Sequence, residues 1–248
     1  MKKFLVCGLL LLAGLLGTVS PALADWIPGD STKWVQMPNP NGYNVNTTNP
    51  YFLADDFLCT RTGPITDVHI WGSYVGDVPD PTLGVFLTFW SDSRPPGTYS
   101  RPNAPVWEGM YFSPGSYSVV EWGTSNEQFF DPPNTIRGSD NKIFLYNFFI
   151  NPSEAFVQQA GNIYWLSVIA FSGEGQENNP FGWKTSMNPW GDDAVWTIAE
   201  EWYELRDPVT GDSLDLAFAI TTVPLPGSLL LLGTGLLGVL GLGWRRRA

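Results

Sequence analysis

Turn-forming residues interrupt the middle of the chain about every dozen positions, which leaves room for short strands and almost none for helices. The interruptions are Pro38-Asn39-Pro40-Asn41-Gly42, Pro79-Asp80-Pro81, Pro95-Pro96-Gly97, Pro132-Pro133-Asn134 and Thr210-Gly211-Asp212. Between them lie runs with a period of two, the mark of a strand with one buried face. In Ile65 to Tyr74, Val68, Ile70 and Tyr74 share one face, and Asp67, His69, Trp71 and Ser73 share the other. Leu83 to Trp90, Lys142 to Ile150 and Ile163 to Phe171 are more uniformly apolar and read as central strands. Shorter strands are expected at Trp34 to Met37, Tyr51 to Leu58, Tyr117 to Glu121, Ala194 to Ile198, Trp202 to Leu205 and Leu214 to Ile220. Together they predict an all-β chain, an antiparallel β-sandwich of jelly-roll type. One short helix is expected: Asn151-Pro152-Ser153-Glu154 supplies an N-terminal cap ahead of Ala155 to Ala160, and Gly161 closes it.

The two ends are of another kind. Residues 1–24 carry Lys2 and Lys3, an apolar run from Phe4 to Leu16, and Ala22-Leu23-Ala24 as a small-x-small cleavage site. This is the layout of a secretory signal peptide, and Cys7 sits within its apolar run. At the other end, Val223-Pro224-Leu225-Pro226 precedes 18 uncharged residues, 227–244, and then Arg245, Arg246 and Arg247. As a helix that stretch spans about 27 Å, the thickness of a bilayer's hydrocarbon layer. The arginines beyond it are expected to stay cytoplasmic. The chain therefore divides into a signal peptide (1–24), a β-sandwich ectodomain (25–222) and a sorting or anchor segment (223–248).

This tail resembles the PEP-CTERM sorting signal of bacterial exopolysaccharide-associated proteins. Val223, Pro224 and Pro226 match its motif, while Leu225 stands where that family has glutamate. The resemblance implies a Gram-negative producer, passage through the export machinery, transient membrane insertion through 227–244, and processing by an exosortase-type membrane peptidase. It also implies delivery to the outer surface or the extracellular matrix. The middle resembles a group of exported bacterial modules without assigned function, through the segments 53–59, 63–73, 182–186, 192–196 and 214–218. That second resemblance supports a single domain and transfers no catalytic residue.

Composition narrows the chemistry. Residues 25 to 226 hold all 24 acidic residues but only 8 of the 13 basic ones, a surface that repels phosphate backbones and argues against nucleic acid as a partner. His69 is the only histidine, so a zinc site with several His ligands is close to excluded, and any Ser-His-Asp or Cys-His system would have to use His69. Cys59 is the sole cysteine left after signal cleavage and reads as a buried thiol.

Asp67, His69 and Trp71, on one strand face, could form a sugar site from an indole platform and two polar groups. The plainer reading packs Trp71 beneath a loop and leaves Asp67 and His69 in structural hydrogen bonds. Asp55, Asp56, Asp192 and Asp193 are candidate oxygen ligands for a structural Ca²⁺. Adjacent strand residues face opposite ways, so at most one of each pair would serve one ion. Glu108, Glu121, Glu200, Glu201 and Glu204 could include a glycosidase pair, though no spacing selects among them. Asn46-Thr47-Thr48 matches an N-glycosylation pattern, an accidental match in an exported bacterial protein. The leading expectation is a non-enzymatic exported protein that associates with extracellular polysaccharide or the cell envelope. A polysaccharide-processing glycosidase or lyase and a purely structural matrix component stay open beside it, since sandwiches host all three.

Overall fold

The computed structural model describes Trp26, residues 32–173 and residues 179–222. The signal cleavage site with Ala22 and Ala24, the sorting residues Val223, Pro224, Pro226 and Arg245 to Arg247, and the apolar stretch 227–244 lie outside the described residues.

The described chain forms β1 (Thr32–Gln36), β2 (Tyr43–Asn46), β3 (Phe52–Leu58), β4 (Gly63–Pro64), β5 (Asp67–Tyr74), β6 (Gly84–Ser93), β7 (Arg101–Phe112) and β8 (Ser118–Asp131). It continues with β9 (Thr135–Phe149), β10 (Val157–Gln158), β11 (Ile163–Phe171), β12 (Phe181–Lys184), β13 (Val195–Thr197), β14 (Tyr203–Glu204) and β15 (Phe218–Thr221). Seven strands form one sheet in the order β1-β15-β5-β12-β2-β8-β9, six form a second in the order β14-β13-β3-β11-β6-β7, and β10 pairs with β4. All strand pairings are antiparallel except β2 with β8.

The all-β sandwich expected from the alternation is what forms. Its core lies between the sheets, with Val68, Ile70 and Tyr74 of β5 on the face that alternation predicts. There Phe57 meets Phe218 edge-to-face at 5.8 Å, and Trp183 meets Phe218 at 6.0 Å. Large rings suit this position because each removes a large area from water and locks in a tilted geometry. Cys59 is buried in the same core.

The seven-stranded sheet does more than cover one face. β9 pairs with β8 along its length and also with β5 from Phe144 to Phe149. Since β8 joins β2, β2 joins β12 and β12 joins β5, the strands β5, β9, β8, β2 and β12 close into a ring. As a result β5 is buried on both faces along all its residues. On its second face Trp71 meets Trp26 at 5.3 Å and Trp122 at 5.9 Å, both edge-to-face.

The expected helix is a correction. Asn151 Oδ1 accepts from Ser153 N–H at 3.1 Å and from Ser153 Oγ at 2.8 Å, and Glu154 N–H donates to the Asn151 carbonyl at 2.8 Å. These bonds close a turn. Beyond it the chain is extended: β10 pairs with β4, Phe156 packs on Phe89 and Tyr164, and buried Gln158 accepts a bond from Lys33 Nζ at 3.0 Å. Six residues supply too little helix for propensity to outweigh those tertiary contacts. Sequence reading also missed β7, whose Pro102 and Pro105 are tolerated because it is an edge strand.

Gly182 is a close approach within the ring: a Cβ there would lie 2.5 Å from Phe129 Cε2 and 2.9 Å from Asn44 Cβ. Gly182→Ala is expected to cost about 1–3 kcal/mol through overpacking. Gly123→Ala, which meets nothing within 4 Å, should cost much less. Denaturant melts of the two variants check the contrast.

Candidate functional site

The β13–β14 hairpin carries residues that shape a concavity beside the six-stranded sheet. β13 pairs with β3, β3 with β11, and β11 with β6. This order brings the loop 198–202 over Trp90 and the start of β7. The cleft holds about 710 Å³ and is lined by Trp90, Tyr99, Trp202 and Tyr203 together with Arg101, Asn103, Glu200 and Glu201. A second hollow of about 720 Å³, on Trp196 and Ile198, shares Glu200, Glu201 and Tyr203 with the first.

The aromatic walls are held in place. Trp90 Nε1 donates to Ser167 Oγ at 2.8 Å and leaves its ring 6.2 Å from Trp202, edge-to-face. Tyr99 Oη donates to the Trp202 carbonyl at 2.5 Å, which fixes the loop to the strand region below. Tyr203 Oη donates to Glu201 Oε2 at 2.9 Å. Among the residues lining the cleft, both carboxylates come from one loop, while Arg101 and Asn103 stand on β7. Indole and phenol faces stand there beside amide, guanidinium and carboxylate groups.

Of the residues singled out from the sequence, Glu200 and Glu201 line this cleft, and the candidate ligand-binding and metal residues lie elsewhere. Asp67, His69 and Trp71 share one face of β5, as alternation requires, but ring closure buries them: Asp67 is 7% exposed, His69 2% and Trp71 0%. His69 Nδ1 lies 2.7 Å from Asn147 Oδ1 and Nε2 lies 3.2 Å from Thr221 Oγ1, while Thr66 Oγ1 donates to Asp67 Oδ2 at 2.8 Å. A stacking platform needs an open ring face, and Trp71 has none. Asn46 is likewise buried, with Nδ2 donating to Asp131 Oδ1 at 2.8 Å, so the glycosylation pattern marks an engaged side chain.

The four aspartates proposed for calcium are brought near one another without converging on one point. Asp55 turns inward, where Gln36 Nε2 donates to Oδ2 at 2.7 Å and Leu216 N–H at 2.6 Å. Asp56 turns the other way and accepts from Asp192 N–H at 3.3 Å. Asp192 pairs with Arg94, and Asp193 pairs with Arg206 at 2.5 Å. Among the described residues no three carboxylate, histidine or cysteine side chains are grouped to hold a metal ion. Asp215, not singled out from the sequence, lies close by, and its Oδ2 accepts from Trp190 N–H at 2.5 Å.

Two family models match the chain. The Domain of unknown function (DUF7901) matches residues 32–221. The chain belongs to this family. Directly after the DUF7901 domain, the PEP-CTERM protein-sorting motif matches residues 222–247, in agreement with the resemblance of the tail. The protein is thus an exported PEP-CTERM protein, and its sorting motif implies handling by an exosortase-type membrane protein. No curated protein and no solved structure matches the chain.

Charge burial in the DUF7901 domain sets its response to pH. Burial pushes the Asp56 carboxyl up to about 8, helped by Asp215 and Asp92 and opposed by Arg94. Burial likewise pushes Asp215 up to about 6 and holds Asp55 well above the ordinary 3.8. A carboxyl raised in the native state binds more protons there than in the unfolded chain. Stability therefore falls as pH rises from the unfolded value of 3.8 toward about 8. The thermal midpoint should be higher near pH 5 than near pH 8, and Asp56→Asn should flatten the difference; an unchanged slope in that variant would remove Asp56 from the account.

Proposed function

We propose that the domain is a non-enzymatic recognition module that binds extracellular polysaccharide through the cleft between Trp90, Tyr99 and Trp202, and that it acts at the outer surface or in the matrix of a Gram-negative bacterium. The observation that carries this reading is the cleft itself, in which the half-buried rings of Trp90, Tyr99 and Trp202 stand beside polar groups of both signs. Sugar rings present apolar C–H faces and a fringe of hydroxyls. Such a wall removes the faces from water and offers partners to the hydroxyls. The sorting motif supports the same reading, because it directs the domain to the compartment where such polymers lie.

The test is titration of the purified exported protein with a panel of bacterial polysaccharides, once with calcium and once with a chelator. Trp202→Ala should weaken binding about tenfold, equivalent to about 1.4 kcal/mol, and leave the thermal midpoint within a few degrees. Trp71→Ala should instead lower the midpoint, as removal of a buried ring costs about 3–5 kcal/mol, without acting on affinity in the folded fraction. A folded protein that binds no polysaccharide in either condition favours a structural matrix component. Release of reducing ends or unsaturated sugars favours a processing enzyme.

A further inference from the structure

The ring of strands β5, β12, β2, β8 and β9 gathers one polar side chain from each member: Ser73, Lys184, Asn44, Glu127 and Asp140. All five are buried, and the Lys184 side chain is 0% exposed. Ser73, Lys184 and Asn44 lie on the face opposite the sandwich core, since their neighbours Tyr74, Trp183 and Val45 point into that core, and Glu127 and Asp140 meet Asn44 there. Lys184 and Asn44 are direct partners across β12 and β2, so their side chains leave the sheet on one side with Cβ atoms about 5 Å apart.

Lys184 Nζ contacts Glu127 Oε2, and Asn44 Nδ2 donates to that same oxygen at 2.9 Å. Amine and carboxamide therefore flank a single carboxylate oxygen. Asp140 approaches the carboxamide as well, with its two oxygens 2.9 and 2.8 Å from Asn44 Nδ2. Apart from the contact between Lys184 and Glu127, no hydrogen-bond partner among the described residues reaches Lys184 Nζ, Glu127 Oε1 or Asn44 Oδ1. An ammonium with so few bonds is costly to keep in a protein interior. Burial draws the Lys184 amine down to about 7, so near neutral pH a large share is free base and nucleophilic. Burial also pushes Asp140 up to about 7, against hydrogen bonds from Ser73 and Asn44, so a comparable share keeps its proton. Asn44 Nδ2 thus lies against both carboxyl groups at once.

We infer that Lys184 and Asn44 become joined by an intramolecular amide bond formed within the folded domain, with Glu127 carrying the proton and Asp140 polarising the carboxamide. The Nζ lone pair attacks Asn44 Cγ and forms the new N–C bond. Glu127 takes a proton from Nζ and passes it to Nδ2, the Cγ–Nδ2 bond breaks, and ammonia leaves. Asp140 holds its own proton against Nδ2 as the Cγ–Nδ2 bond breaks and is unchanged at the end. Nothing is oxidised or reduced and no co-reactant is consumed. The product replaces a buried charge by a neutral secondary amide. It also ties β2 to β12 across most of the chain, which restricts the unfolded state in the way a long-loop cross-link does.

The test is proteolytic mapping of the full-length protein, as exported, by mass spectrometry. The expected result is a branched peptide that joins the segments around Asn44 and Lys184, lighter than their sum by one ammonia, with no tryptic cleavage after Lys184. Two linear peptides with intact Asn44 and Lys184 would overturn the proposal, and a branched peptide short by one water would overturn it too by placing the bond on a carboxylate. These readouts need no variant. Glu127→Gln should abolish the branched peptide in protein whose circular dichroism still reports the native strand content; persistence of the branch in that folded variant would remove Glu127 from the reaction.

Discussion

Closure of the strand ring around β5 is the constraint on which the rest of the structure depends. An antiparallel sandwich ordinarily buries one face of each strand and leaves the other in water. Here β9 crosses from β8 to β5, and the second face of the sheet becomes an interior of its own. That interior has to accommodate whatever the alternate positions carry. It holds a cluster of Trp26, Trp71, Ile143 and Leu145 at one place and the Ser73, Lys184, Asn44, Glu127 and Asp140 group at another. The apolar part follows ordinary packing. The polar part is the unusual one, because buried polar groups persist only when they are satisfied or when they react.

The same logic explains the distribution of charge. The acidic residues of the domain are divided between exposed positions, where solvent carries the cost, and a few interior ones. Asp55 is stabilised by Gln36 and by the Leu216 N–H, Asp56 lies against the 190–193 loop, and Asp215 holds that loop through Trp190. These aspartates anchor the connections between the two sheets. Glu200 and Glu201 are exposed and sit at the rim of an aromatic cleft, where a polar ligand can reach them. The interior carboxyls hold loops, and the rim carboxyls face outward from the hairpin.

Much of the fold was legible in local pattern. Ile163 to Phe171 is strand β11 in full, and the faces of β5 are those assigned by counting alternate residues. Strand β7 was not legible, because an exposed edge strand with two prolines lacks the apolar alternation that marks buried ones. The helix expected after Asn151 failed for the converse reason: its local signals were genuine, but they served an Asx turn, and the pull of Phe156 and Gln158 into the interior decided the rest. Of the candidate site, Glu200 and Glu201 were visible only as members of a pool of acids, and Trp90 and Trp202 only as strand residues.

The amino-acid sequence by itself determined the all-β class, the export signals and the alternation that points each strand residue to one side or the other, since these rest on short-range periodicity and composition. Only the tertiary structure decided what each side means. Asp67, His69 and Trp71 face away from the sandwich core and are nonetheless interior, because a pairing between β5 and β9 covers them. Asn44 and Lys184, distant in sequence, become cross-strand neighbours through the β2–β12 register. Trp90 and Trp202 share a cleft because three intervening strand pairings set their spacing. Each of these is a long-range pairing, and no local physical property of the chain encodes which distant strand will be the partner.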